Sequence, residues 1–225
     1  MTPEQKARVS IDTLLQHAGW HVCNVSDANI HASCGVAIRE FPLNTGFGFA
    51  DYLLYVNGKA CGVIEAKKEG ATLTGVELQS GRYAQGLPTA LPAWRRPLPF
   101  VLESTGIETH FTNGLDPEPR ARSVFAFFRP ELLVQWLAYL PNPANGAAAQ
   151  ETPGTFLARM RSMPPLVTEW GAGGAHYQLW PAQISAITNL EKSLAANKPK
   201  ALIQMATGSG KPFTGIRFIY RLINF

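Results

Sequence analysis

Cysteine is scarce, and its spacing excludes more than its number does. Cys23, Cys34 and Cys61 are an odd set without Cys-x-x-Cys spacing. They fit free thiols of a reducing compartment, and neither a disulfide framework nor a zinc site. Long apolar runs are missing: none approaches the ~18 residues of a membrane span, and the first residues lack a signal-peptide core. Charge is sparse too, at 16% of residues against 46% hydrophobic. That ratio excludes a disordered chain and permits a real core. In 225 residues there is room for one large domain, or for one domain and part of another. Net charge is +4 and the pI about 9.1, a balance that suits phosphate binding without requiring it. His17, His21 and His31 lack metal-cluster spacing and read as core-edge or surface residues. The expectation is a soluble, cytoplasmic protein.

What is present centres on residues 49–67. Two strand-like runs, 50–56 and 60–68, flank Asn57-Gly58, the strongest short hairpin signal. In the second run Val63, Glu65 and Lys67 share one face, and Ile64 and Ala66 the other. Register decides whether Asp51 joins Glu65 and Lys67. A plain two-residue loop sets Asp51 opposite Ile64; one extra residue, from a longer loop or a bulge, sets it opposite Glu65. The offset register is expected, because two carboxylates and an ammonium then converge. Carboxylates so placed bind Mg²⁺ through oxygen, which polarises a phosphodiester and activates water. Lys67 would position the nucleophile and offset charge on phosphorus. On spacing alone, the trio equally suits a solvated hairpin edge whose charges discourage aggregation.

Asp51…Glu65-Ala66-Lys67 resembles the D…ExK signature of the PD-(D/E)xK nucleases. The wider run from Gly46-Phe47-Gly48-Phe49-Ala50-Asp51 through Gly62-Val63-Ile64-Glu65-Ala66-Lys67-Lys68 closely resembles the N-terminal nuclease domain of the restriction (R) subunit of type I restriction–modification enzymes. Gln79-x-x-x-Tyr83 is similar to the QxxxY motif that follows ExK there, on a helix expected over residues 74–87. A Thr112-Asn113-Gly114…Phe125-x-x-Phe128-Arg129-Pro130-Glu131 layout extends the likeness over most of residues 4–137. The resemblance implies an α/β fold with a mixed central sheet flanked by helices. It implies Mg²⁺ on Asp51, Glu65 and the Ala66 carbonyl, with Glu4 on the first helix as a further candidate ligand. Lys67 would orient water, and Gln79 and Tyr83 would support the site. Lys59, Lys68 and Arg82 are candidates for DNA phosphate contacts. Phe49 stands where the family more often has a basic residue. Glu4 and Arg8, four apart on the first helix, also read as a surface ion pair.

A nearly uncharged stretch, residues 140–154, reads as a linker. The last fifty residues change character. A helix is expected from Pro181 to about Ala196, then a short buried strand over residues 201–205, then Ala206-Thr207-Gly208-Ser209-Gly210-Lys211. Strand, glycine-rich loop, lysine and helix are the anatomy of a phosphate-binding loop. The context resembles superfamily 2 helicases and translocases, which implies ATP on Thr207, Gly208, Ser209, Gly210 and Lys211, with Gln183 as the adenine-reading glutamine. Pro212 departs from the Thr or Ser whose hydroxyl holds Mg²⁺, so no ATPase activity is expected of this chain. It also reaches Phe225 before an acidic Walker-B strand or a second motor lobe, which reads as a truncated RecA-like element. The expected organisation is a nuclease domain over 1–140, a linker over 141–175 and the start of a motor over 176–225. The implied function is Mg²⁺-dependent cleavage of double-stranded DNA without sequence preference of its own. The implied partners are the methylation (M) and specificity (S) subunits of a bacterial or archaeal complex. Two other readings stay open at this point: a non-catalytic DNA-binding or assembly platform, and another helicase–nuclease of repair or phage defence.

Overall fold

The capping chemistry at the N-terminus starts the first helix as read from the sequence. Thr2 caps α1 (Pro3–His17), its hydroxyl accepting the Gln5 N–H while the Gln5 side chain accepts the Thr2 N–H. Ala7, Ile11 and Leu15 form its buried face. The chain then leaves through Gly19, whose φ of +89° is open to glycine at little cost. The structure, a computed structural model, describes residues 2–73, 82–138, 154–172, 175–198 and 200–225. It divides into two compact units, Met1–Ala149 and Gln150–Phe225.

The first unit is built on a seven-stranded mixed sheet in the order β1 to β7. Its strands are β1 (His21–Asn24), β2 (Gly35–Pro42), β3 (Phe49–Val56), β4 (Lys59–Ala66), β5 (Phe100–Ser104), β6 (Thr109–Asn113) and β7 (Ala121–Val124). The β1–β2 and β4–β5 pairs are parallel and the rest antiparallel. Both faces are covered, so the central strands are buried almost throughout. One core gathers Ile11 and Leu15 of α1 with Tyr52, Leu54, Ile64 and Phe100, and with Leu133 and Leu137 of α2 (Pro130–Ala138). The opposite face packs Leu53, Val63 and Val101 against Ala84, Leu87 and Leu98. Close approach of α2 explains Gly35: a Cβ there would lie 2.1 Å from Pro130 Cγ. Residues 82–85 are helical, whereas residues 74–81, with Gln79, lie outside the described residues.

In the second unit the described elements are α3 (Phe156–Arg161), a hairpin of β8 (Glu169–Ala172) and β9 (Ala175–Gln178), α4 (Pro181–Ala195) and α5 (Lys211–Asn224). Of these, α3 and β8 fall within the span read as a linker, and β9 begins at its last residue. One expectation fails here: residues 201–205 form no strand, and Leu202 is 93% exposed. The local sequence favours a buried strand, but a strand needs lateral neighbours for its N–H and C=O groups. Among the described residues, the only sheet of this unit is the β8–β9 hairpin. Among the described residues no RecA-like sheet is formed, and the described helices and loop stand without one. No described helix is long and apolar enough to cross a membrane.

Candidate active site

The hairpin sets the register that the site needs. Asn57 and Gly58 both take positive φ, +48° and +73°, the conformation of a two-residue turn that pairs Val56 with Lys59. The register then slips: Tyr55 pairs with Ala60, but Leu54 pairs with Gly62. Cys61 is the extra residue, a bulge whose thiol donates to the Leu54 carbonyl at 3.4 Å. Burial pushes that thiol far above its ordinary pKa, which makes it an inert packing group. Gly62 follows because a Cβ there would sit 2.5 Å from the Phe100 carbonyl oxygen. Past the bulge, Leu53 pairs with Val63 and Tyr52 with Ile64, so the next step sets Asp51 beside Glu65. Turn and bulge together supply the offset expected from the sequence.

Two carboxylates and one ammonium meet at that strand end. Asp51 Oδ2 accepts the Ala66 backbone N–H at 2.8 Å. Lys67 Nζ donates to Glu65 Oε1 at 2.6 Å. The Lys67 backbone N–H donates to the Ser104 carbonyl of β5 at 2.8 Å, which ties the tripeptide to the parallel neighbour. Glu65 is 5% exposed, and its Oε2 is buried without a hydrogen-bond partner. Burial pushes the Glu65 carboxyl above the ordinary glutamate range; the Lys67 hydrogen bond opposes this and the charge on Asp51 adds to it.

An orphaned, buried carboxylate oxygen beside a second carboxylate is a donor set that fits a hard divalent cation. Among the described residues, no group of three or more His, Cys, Asp or Glu forms a metal cluster. The protein's candidate ligands are therefore the two carboxylates, with the Ala66 carbonyl directly after Glu65 in sequence.

A raised Glu65 pKa has a thermodynamic consequence. The folded chain holds this proton more tightly than the unfolded one, where a glutamate titrates near ~4.3. The resulting stability is complete below that pH and is lost as pH rises through the folded pKa. Glu65→Gln should therefore stabilise the metal-free protein at pH 7.5, by roughly 0.5–2 kcal/mol. At pH 4 it should change little. Thermal unfolding at the two pH values checks this, and a destabilised variant at pH 7.5 would contradict it.

Other expected residues are placed with less convergence. Glu4 is exposed in the first turn of α1, and the residue of that helix that reaches the site is Arg8. The expected Glu4–Arg8 surface pair is replaced: Arg8 bonds Asp51 and Glu40 instead. Tyr83 is half-buried against the second core, and Lys68 is exposed. Arg82 lies over the Phe47 ring and donates to the Gly46 carbonyl at 2.7 Å, so a guanidinium stands at the glycine-rich turn near Phe49. Lys59 is exposed and lies over the Trp94 ring, 4.9 Å from its centroid. Arg96 holds the carbonyls of Leu87, Pro88 and Leu91, so it packs the proline-rich loop over residues 87–99.

Three residues at the site carry no role in the sequence reading: Arg8, its partner Glu40 and Glu103. Arg8 comes from 43 positions before Asp51, and only the packing of α1 on the sheet brings them together. Glu103 is the parallel register partner of Glu65 and is fully buried. For Glu103, a charged residue directly after the apolar run 100–102 was the available signal.

In the second unit the glycine-rich loop is closed on itself. Gly208 and Gly210 take φ of +81° and +78°, and Lys211 Nζ donates to the carbonyls of Met205 and Ala206. Gln183 is buried and uses both ends of its amide: Oε1 accepts the Trp180 N–H, and Nε2 donates to the Ser209 carbonyl. Pro212 sits in the first turn of α5 and brings no hydroxyl. Lys211 turned onto its own loop, a committed Gln183 and Pro212 do not fit a Mg²⁺-nucleotide.

Comparison with known proteins gives a consistent pattern. The family model described as type I restriction enzyme EcoKI endonuclease subunit second domain matches residues 27–97. The model described as type III restriction enzyme, res subunit, matches residues 176–225. The chain is 25% identical over 268 residues to the type I restriction enzyme EcoKI endonuclease subunit of Escherichia coli K12, covering 98% of this chain and 21% of that protein. A solved fragment described as an HsdR subunit of a type I restriction enzyme from Vibrio vulnificus YJ016 is 18% identical. It superposes with a TM-score of 0.44, over 98% of this chain and 38% of that one.

Proposed function

Given these matches, the chain is a fragment of a type I restriction enzyme R subunit, and from that premise we propose that its first unit cleaves double-stranded DNA. The observation that carries the proposal is the offset register, which brings Asp51, Glu65 and Lys67 to one strand end with a carboxylate oxygen left unpartnered. Asp51, Glu65 and the Ala66 carbonyl would hold Mg²⁺, which when bound polarises a phosphodiester and activates water.

The chain's own groups do the rest. Lys67, fixed by its backbone bond to Ser104 and by Glu65, orients the attacking water and offsets negative charge developing on phosphorus. Burial of Glu65 within the sheet keeps bulk water from that oxygen. Tyr83 packs on the sheet face that carries Leu53 and Val63 and would support the site from there; Gln79, outside the described residues, belongs to the same proposed support. Lys68 and Arg82, both exposed, would meet phosphates, contacts that hold a duplex without reading its bases.

The fragment thus has no sequence preference of its own. In the whole enzyme, methylation and specificity subunits would supply recognition, and ATP-driven translocation by the remainder of the subunit would bring DNA to the site, in the cytoplasm of a bacterial or archaeal cell. No ATP-dependent step is assigned to this chain. The test is reconstitution of the full-length subunit with its methylation and specificity partners on plasmid DNA. Cleavage that requires Mg²⁺ or Mn²⁺ supports the reading; an assembled complex that leaves the plasmid intact with either cation overturns it.

A further inference from the structure

We propose that Arg8 is a latch on Asp51, a positioning residue that holds the carboxylate in the cation-free protein and must release it when a divalent cation binds. The inference rests on the reading of Asp51 and Glu65 as a cation site. It starts from an asymmetry between the two carboxylates. Glu65 keeps one oxygen unpartnered, but both oxygens of Asp51 are engaged: Oδ2 by the Ala66 N–H and Oδ1 by Arg8 Nη2. The Ala66 N–H belongs to a paired strand and cannot withdraw. The guanidinium, on a long side chain 38% exposed, can.

Its destination is already built. Arg8 Nη1 donates to Glu40 Oε1 while Nη2 holds Asp51, so the side chain bridges two anions and can keep one while leaving the other. Glu40 is a non-glycine residue at φ +47° within β2, between the register pairs Arg39–Tyr52 and Phe41–Ala50. L side chains rarely adopt that conformation; here it accompanies a carboxylate set within reach of Arg8. A cavity of about 430 Å³ borders the pair, lined by Asn24, Ser26, Arg39 and Tyr52 besides Arg8, Glu40 and Asp51. Arg39 does not compete for either anion, because Asp12 and Asn24 hold it. Burial draws the Arg8 pKa down, but Asp51 and Glu40 outweigh it and keep the guanidinium charged. A fixed positive charge on Asp51 therefore opposes any cation until it moves.

Binding of Mn²⁺ to the 225-residue chain, followed by the electron paramagnetic resonance signal of the free ion, tests the latch. Arg8→Ala should bind about five- to tenfold more tightly than wild type, since no ion pair must be broken first. Arg8→Gln should do the same and guards against a loss of packing in the alanine variant. Glu40→Gln should bind more weakly, because Arg8 is left with Asp51 alone. In the double variant Arg8→Ala/Glu40→Gln that weakening should largely vanish, as Glu40 acts through Arg8. If Arg8→Ala and Arg8→Gln bind no more tightly than wild type while Asp51→Asn abolishes binding, the latch is wrong and the cation site stands. If no variant binds Mn²⁺, or if binding survives Asp51→Asn, the cation-site reading fails and the latch fails with it.

Discussion

Lys67→Ala stops DNA cleavage by the assembled enzyme, lowering its rate by at least about 10²-fold, while divalent cations still bind. Both carboxylates remain in that variant, and the β4 register is set by the turn and by Cys61, not by Lys67. What is lost is the ammonium that sits 2.6 Å from Glu65 Oε1 at the point where Asp51 and Glu65 converge. Neither nearby guanidinium replaces it: Arg8 keeps Glu40 when it leaves Asp51, and Arg82 is held by the Gly46 carbonyl. Single-turnover plasmid cleavage, measured beside cation binding, separates the two contributions. A variant that cuts at the wild-type rate removes Lys67 from the chemistry and leaves the trio a structural strand end.

The second large effect concerns stability. In the second unit Arg221 of α5 is 3% exposed. It donates Nε to Glu191 Oε1 at 2.6 Å and Nη2 to Glu191 Oε2 at 3.2 Å. The same Nη2 reaches the Pro164 carbonyl at 2.6 Å. One side chain therefore fastens α5 to α4 and to the segment before β8. Arg221→Ala leaves a largely buried carboxylate and a carbonyl without their donor, and breaking such a pair from one side costs about 3–5 kcal/mol. That is a large share of what a small unit has. Amide hydrogen exchange should show protection lost across Pro181–Ala195. Arg221→Met/Glu191→Met, which removes both charges together, should lose much less. Equal losses in the two variants would show that packing, not the buried pair, holds the helices.

How far the sequence reached follows from the range of each signal. The α1 cap, the Asn57-Gly58 turn, the strand pair around it and the helix from Pro181 are written in a few adjacent residues, and all were legible. The bulge was half legible. Strand patterning left two registers open, and what chose between them was the chemistry of Asp51 and Glu65; nothing at Cys61 marked it as the extra residue. The strand expected at 201–205 shows the reverse case: the local preference was read correctly, but pairing is non-local and no described neighbour provides it. Arg8 and Glu40 were invisible as site residues for the same reason, and Glu103 showed only as a charge at the end of an apolar run. Each is ordinary in its own segment and becomes part of the site only when α1, β2 and β5 flank the hairpin.

The most direct test is calorimetric titration of Mg²⁺ or Mn²⁺ into the 225-residue chain, beside Asp51→Asn and Glu65→Gln. The account predicts saturable binding in the unmodified protein that disappears in both variants. Equal binding in all three, or none in any, would contradict it and leave the hairpin a scaffold.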